Sequence, residues 1–364
     1  MVHGAIDNIK LQGFKSVRSM DLSLRALNVL IGPNGVGKSN FVSLFRLVNQ
    51  LVEKRLQSYV AASGGAEALF HFGRKVTERI SIDIAFSDFV NGYSCLLEPT
   101  DQGSLYFASE SVWFHDKSNY ESPYSQFLGE GHAEARLLDD EGSKIAAWVI
   151  TAMKSWRIYH FHDTSPEAKV KQAGDLHDNR TLRGDAANLA AFLFKTKKNS
   201  PDHYRNIVDA VRMVAPFFDD FVLEPLELNE EKIRLEWRER DQETAFGPNA
   251  LSDGTLRFIC LATLLLQPYL PTTILLDEPE LGLHPFAITL LAELLRAAAT
   301  KTQVIASTQS VSLVNQFEPD DIIVVEREGG QSVFKHLEPS AMQNWLEDYG
   351  LGDLWEKNLL GGRP

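Results

Sequence analysis

Gly32-Pro33-Asn34-Gly35-Val36-Gly37-Lys38-Ser39 matches the spacing G-x-x-x-x-G-K-[ST], a loop that binds nucleotide phosphates. Its glycines let backbone N–H groups wrap the phosphates, and the helix start that follows adds partial positive charge. Lys38 then reaches the β- and γ-phosphates, and the Ser39 hydroxyl ligates Mg²⁺. A second pair stands far along the chain, where Thr273-Ile274-Leu275-Leu276 runs into Asp277-Glu278-Pro279. A carboxylate at the end of a buried strand can hold the metal, and its neighbour can polarise or deprotonate an attacking water. The third is Leu251-Ser252-Asp253-Gly254-Thr255, a helix start with a capping serine and a glycine that admits close approach. A free helix start of this kind also attracts anions, so the chain carries two phosphate-attracting helix starts.

Each group needs an element to hold it. Ahead of the glycine loop, IDNIKLQGF, MDLSLRAL and NVLIG read as strands with short turns over residues 5–31. Behind it, Phe41, Leu44, Phe45, Val48, Leu51 and Val52 fall on one 3.6-residue face and predict a helix from Lys38. Strict alternation marks Arg79 to Phe86 as a strand, with YSCLLEP at 93–99 its neighbour. After Leu251 the pattern predicts a helix at 253–266, a strand at 273–277, a helix at 285–299 and strands at 303–308 and 321–326. That alternation belongs to a mostly parallel sheet in an α/β protein. Between 100 and 245 the rhythm changes, with helical NLAAFLFKT and HYRNIVDAVRMV and a strand EKIRLEWRE that turns Ile233, Leu235 and Trp237 inward. The predicted organisation is one interrupted domain: 1–99 and 246–345 form its halves, 100–245 is an inserted region with a helical lobe, and 346–364 is a tail ending loosely in Gly-Gly-Arg-Pro.

Composition narrows the setting. Apolar residues make up 44 % and charged residues 23 %, which excludes a largely disordered chain. The formal charge of −13 removes long-range attraction to nucleic acid or anionic membrane as a default, so such binding needs a local basic patch. Cys95 and Cys260 are too few for a disulfide framework and lack metal-ligand spacing, which predicts a reducing, cytoplasmic setting. The start MVHGAIDNIKLQGF has no signal-peptide pattern, and no apolar run nears the ~20 residues of a membrane span.

The phosphate loop, LSDGT and LLDEPELGLHP, in that order, resemble the ATP-binding-cassette ATPase heads, and among them the RecF-like and SMC-like ATPases of DNA repair and phage defence. The N-terminal block IKLQGFKSVRSMDLSLRALNVLIGPNGVGKSN resembles the same branch, and the likeness covers roughly residues 1–85 and 250–364. It implies a P-loop NTPase fold of mixed or parallel sheet with an inserted helical lobe. It implies ATP and Mg²⁺ at Gly32, Pro33, Asn34, Gly35, Val36, Gly37, Lys38, Ser39 and Asn40, with Ser39 and Asp277 on the metal and Glu278 on the lytic water. Ser252 and Gly254 would touch the γ-phosphate of ATP held by a second copy, giving a homodimer with two sandwiched ATPs. Glu280 to His284 falls where the family's interface loop lies, and His284-Pro285 also reads as an ordinary helix start. Gln309 stands where many relatives have a switch histidine; its amide can donate to the γ-phosphate but cannot exchange protons near neutrality, which implies slow hydrolysis.

Other groupings read more plainly. His160, His162, His177 and Asp178 are taken as core or interface residues, not metal ligands. Lys169, Lys171, Arg180, Arg183, Lys195, Lys197 and Lys198 are the candidates for a local nucleic-acid or partner surface, with a solvated face the simpler reading. The expected function is an ATP-switched dimeric clamp acting on DNA or a partner effector. The alternative is a regulatory ATPase controlling a separately encoded nuclease, with no direct DNA contact. An intrinsic nuclease is disfavoured, because the residues after Glu278 are needed to close the ATPase and the pairs Asp320-Asp321 and Glu347-Asp348 read as loop and helix-surface charges. A transport subunit is disfavoured by the long insertion.

Overall fold

Residues 4–139, 142–337, 345 and 348–362 are described by the structure, a computed structural model. The chain divides into two units: Met1–Ile158 with Pro271–Leu275 and Thr302–Pro364, and Tyr159–Leu270 with Leu276–Lys301.

Two six-stranded sheets supply the strands of the first unit, with only the strand-end residues Tyr159, Leu276 and Asp277 counted in the second. One consists of β1 (Ile6–Phe14), β2 (Val17–Ser23), β4 (Ile80–Phe86), β5 (Asn91–Pro99), β6 (Leu105–Phe114) and β7 (Tyr124–Gly129), antiparallel in the order β2-β1-β4-β5-β6-β7. The other runs β18-β17-β3-β16-β15-β8, using β3 (Leu27–Ile31), β8 (Trp156–Tyr159), β15 (Thr273–Asp277), β16 (Gln303–Thr308), β17 (Ile322–Glu328) and β18 (Gln331–His336). β3 is parallel to both β16 and β17, and β18 returns antiparallel. All of β3 is buried, as a parallel strand covered on both faces requires. Helix α1 (Lys38–Val52), which α2 (Leu56–Ala62) follows, buries the face read from its period, and Phe45 meets Phe41 and Trp156 edge-on at 5.3 and 5.2 Å. The buried Gln303 amide ties β1 to β16: its oxygen accepts from the Ile6 N–H (3.0 Å) and its nitrogen donates to the Ile6 and Arg25 carbonyls (2.8 and 3.0 Å).

Two expectations change here. The boundary drawn at 99/100 falls inside a hairpin: β5 pairs with β6 from Pro99↔Leu105 onward, and β7 and α3 (Lys144–Lys154) also belong to the first unit. Nor is the tail loose. Leu351, Leu354 and Trp355 of the helix Leu351–Glu356 are buried, Trp355 Nε1 donates to the Gly362 carbonyl, and the Gly362 N–H donates to Glu326 (2.9 Å). Arg363 and Pro364 lie outside the described residues.

Glu110 of β6 is fully buried and accepts from the Tyr93 hydroxyl (2.9 Å), His132 Nε2 (2.9 Å) and the Arg136 N–H (2.7 Å). Burial, with Cys95 and this carboxylate nearby, pushes the Tyr93 hydroxyl well above its usual range. Glu110→Ala strands these donors in the core, so the free energy of unfolding should fall by about 3–5 kcal/mol in urea denaturation. A loss below about 1 kcal/mol would show that the network contributes little.

The second unit holds helices α4 (Leu189–Asn199), α5 (Pro201–Val214), α6 (Asp253–Leu266) and α7 (Pro285–Ala299), with α6 packed against α5 and α7. Two three-stranded antiparallel sheets accompany them: β10 (Phe218–Val222), β13 (Glu236–Glu239) and β14 (Ala245–Phe246), then β11 (Pro225–Leu226), β12 (Asn229–Ile233) and β9 (Gly174–Asp175). The run EKIRLEWRE is thus two strands, not one, because its halves pair with different partners. Ile233, Leu235 and Trp237 are nevertheless all buried. Among the described residues, no helix is long and apolar enough to cross a membrane.

Candidate functional site

In the first unit the glycine loop joins β3 to α1, as its chemistry requires. Gly37 has φ +119°, and a Cβ there would stand 2.1 Å from Ser332 Oγ. Only glycine therefore fits this turn. Behind it runs a chain of donors: Asn40 Nδ2 donates to Ser16 Oγ (2.7 Å), Ser16 and Ser332 share a 2.6 Å hydroxyl contact, and Ser332 reaches the Val36 carbonyl. One proton per hydroxyl allows a single consistent direction, from Asn40 through Ser16 and Ser332 to Val36. Asn40, expected beside the nucleotide, thus spends its amide on supporting the loop. Lys38 is buried, its amine donating to the Gly32 carbonyl and, at 3.1 Å, to that of Pro33. Ser39 is exposed in the first turn of α1, where the Asn40 and Phe41 N–H groups both donate to the Gly37 carbonyl at 3.0 Å. Pro33 is half-buried, Asn34 and Gly35 are exposed, and Val36 is buried.

Also in this unit, Gln309 follows the buried end of β16 and is half-buried. Ser310 next to it caps the short helix Val311–Val314, its Oγ accepting from the Leu313 N–H at 3.2 Å. Asp320 is paired with exposed Arg25, and Asp321 accepts from the Glu318 N–H (3.2 Å) to close a turn; Glu347 lies outside the described residues.

The second unit gathers the other motifs. Ser252 caps α6, its Oγ accepting from the Thr255 N–H at 3.2 Å, and is exposed. A Cβ on Gly254 would lie 2.5 Å from the Gly282 carbonyl, so the α6 start and the loop after Glu278 touch backbone to backbone. Asp277 ends β15, and Glu278 takes φ +44°, a left-handed conformation costly for a glutamate. The next turns close through Leu281 N–H to the Glu278 carbonyl (3.2 Å) and Leu283 N–H to that of Glu280 (3.0 Å). His284 caps α7 through Nδ1, which accepts from the Phe286 N–H at 3.4 Å, and Pro285 takes the first helical position. Leu281, Gly282, His284 and Phe286 are exposed, as are Ser252 and Asp253.

Two residues hold these motifs together: Arg257, which the sequence reading did not single out, and His162, which it took only as a core or interface residue. Arg257, one turn into α6, donates to the carbonyls of Phe161 (3.1 Å), Leu281 (2.6 Å) and His162 (2.9 Å). His162 Nε2 lies 2.7 Å from the Asp277 carbonyl. Neither carries a local signal, since each acts on residues remote in sequence. Among the described residues no group of His, Cys, Asp or Glu is arranged to hold a metal by itself. Of the basic residues singled out, Lys171 is buried with its amine on the Thr164 carbonyl (2.6 Å), and Lys169, Arg183 and Lys197 pair with Asp185, Asp178 and Asp220 at 3.2, 2.6 and 3.0 Å.

These residues suit a magnesium nucleotide. The start of α1 and a lysine amine already bonded to oxygen match phosphate, and the exposed Ser39 hydroxyl beside them is a hard oxygen of the kind Mg²⁺ prefers. A profile of the family described as "AAA domain, putative AbiEii toxin, Type IV TA system" matches residues 27–315. A search of curated proteins returns no match. Among solved structures the chain is similar to an SMC head bound to the C-terminal winged-helix domain of ScpA, at 17 % identity and TM-score 0.61, covering 93 % of this chain and 99 % of that one. It is likewise similar to an SMC head with an extended coiled coil bound to the C-terminal domain of ScpA from Pyrococcus furiosus, at 15 % identity and TM-score 0.57, covering 94 % and 99 %. At these identities the likeness is one of fold: an α/β P-loop ATPase head of the SMC kind.

Proposed function

This chain belongs to that AAA-domain family, and from this premise we propose that it is an ATPase working as an ATP-switched homodimer. The observation that carries the reading is the second helix start: exposed Ser252 and half-buried Gly254 stand beside a loop in which Leu281, Gly282 and His284 are exposed. A helix start with a free face attracts an anion, and the motif order supplies one in the γ-phosphate of ATP bound by a second copy. Gly32 to Ser39 bind the nucleotide, Lys38 takes the β- and γ-phosphates, and Ser39 and Asp277 hold Mg²⁺, which neutralises charge developing on the phosphate oxygens. Glu278 accepts a proton from water as the water oxygen bonds to γ-phosphorus and the bond to the β,γ-bridging oxygen breaks. Gln309 donates its amide to the γ-phosphate without titrating, which keeps turnover slow. His284 lies in the loop that crosses to the partner.

ATP that binds better between two copies than to one drives closure, and hydrolysis reverses it. The switch acts in DNA repair or phage defence, on DNA or on a partner effector. One observation favours the reading without DNA contact, in which the ATPase controls a separate nuclease: Lys169, Arg183 and Lys197 are already matched to carboxylates. A protein partner also suits the fold, since the similar SMC heads are bound to ScpA domains. Turnover measured alone and with single-stranded, double-stranded and gapped DNA separates the two. A DNA clamp should be stimulated at least about fivefold with strong salt dependence, and a partner switch should not respond.

A further inference from the structure

We propose that His162 is a positioning residue for hydrolysis, holding the peptide plane that aims Glu278 and itself held by Arg257 of α6. The inference rests on the reading of Glu278 as the base. A carbonyl can only accept, so the 2.7 Å contact fixes a proton on His162 Nε2, donated to the Asp277 oxygen. That oxygen belongs to the peptide unit joining Asp277 to Glu278, and its rotation about the Glu278 N–Cα bond is the angle φ. Here φ is +44°, a conformation a glutamate keeps only where the surroundings enforce it. Gripping the Asp277 carbonyl supplies that enforcement at the atom the rotation moves.

His162 is not free to drift. Arg257 donates Nη2 to the His162 carbonyl (2.9 Å), Nε to that of Phe161 (3.1 Å) and Nη1 to that of Leu281 (2.6 Å). One guanidinium thus fixes the irregular segment carrying His162 and the loop beyond Glu278 together, using the fork geometry a lysine lacks. Arg257 lies one turn beyond Gly254, whose backbone meets Gly282. The helix start proposed to feel one ATP is therefore linked by hydrogen bonds to the carboxylate proposed to act on the other.

The test compares single-turnover hydrolysis and ATP affinity for the full-length protein and its His162→Gln, His162→Asn and His162→Leu variants, with Glu278→Gln as control. All three lose the ring, yet only the glutamine amide reaches as far as imidazole Nε2; asparagine stops at the Nδ1 position. The rate should fall about 10–100-fold for asparagine and leucine and stay within about threefold of wild type for glutamine, with ATP affinity changed less than about twofold in all. The asparagine variant keeps the comparison intact if leucine does not fold. Asparagine hydrolysing as well as glutamine, or glutamine falling as far as asparagine, overturns the inference. Glu278→Gln hydrolysing at the wild-type rate would instead remove the base reading, whatever the His162 variants do.

Discussion

Glu278→Gln is expected to bind ATP and Mg²⁺ with near wild-type affinity, to lose hydrolysis by about 10²–10⁴-fold, and to accumulate as an ATP-bound dimer. The substitution preserves shape and hydrogen-bonding capacity and removes only the ability to accept a proton, so binding and chemistry separate. The backbone at Glu278 is already left-handed, and an amide there demands no new conformation. Closure follows because ATP that cannot be consumed keeps both copies in the state that binds it better. Light scattering with ATP reads the dimer directly, and a variant that stays monomeric would sink the sandwich. A variant that dimerises yet still hydrolyses would preserve the sandwich and move the proton acceptor elsewhere.

How far the sequence led depended on whether a signal was contiguous. The strand at 273–277 and helices 253–266 and 285–299 match the observed bounds because each is a strongly apolar segment closed by a motif. β6 went unseen although Leu105, Phe107 and Val112 are buried, because Glu110 occupies a core position and a bulge at Leu96/Leu97 shifts the pairing with β5. A fully buried carboxylate breaks the apolar pattern on which strand reading relies. The same division holds in the candidate site. The phosphate loop, Ser252 to Gly254 and Asp277-Glu278 are each legible as short runs, whereas Ser16 and Ser332 meet across 316 positions and His162 reaches Asp277 across 115. Chain topology brings such pairs together, and no spacing rule anticipates it.

That contrast bears on the charge argument. The −13 of the whole chain warned against nucleic acid, and four of the seven basic residues that stand as the exception, Lys169, Lys171, Arg183 and Lys197, are engaged within the chain. Exposed ion pairs hold by little, about 0–1 kcal/mol, so a phosphate backbone could displace the carboxylates of Lys169 and Arg183 at modest cost. Lys171 differs, since its buried amine is committed to the Thr164 carbonyl. Any DNA surface in this region would rest on exposed side chains alone and would weaken steeply with salt.

Lys38→Ala should lower ATP affinity by about 10–100-fold or more. Each charge-assisted hydrogen bond contributes about 1.5–3 kcal/mol and 1.4 kcal/mol is tenfold in affinity, and this amine serves two phosphates. The protein itself should tolerate the change. The amine is buried against the Gly32 and Pro33 carbonyls, so its removal gives up those bonds but also relieves the cost of keeping an ammonium out of water, and the unfolding free energy should move by less than about 1.5 kcal/mol. Nucleotide titration beside urea denaturation separates the effects. Weak binding with unchanged stability places the lysine on the phosphates. Weak binding with a collapsed transition would make it a strut of the loop, and undiminished binding would place the nucleotide somewhere other than this loop, taking the two-ATP sandwich with it.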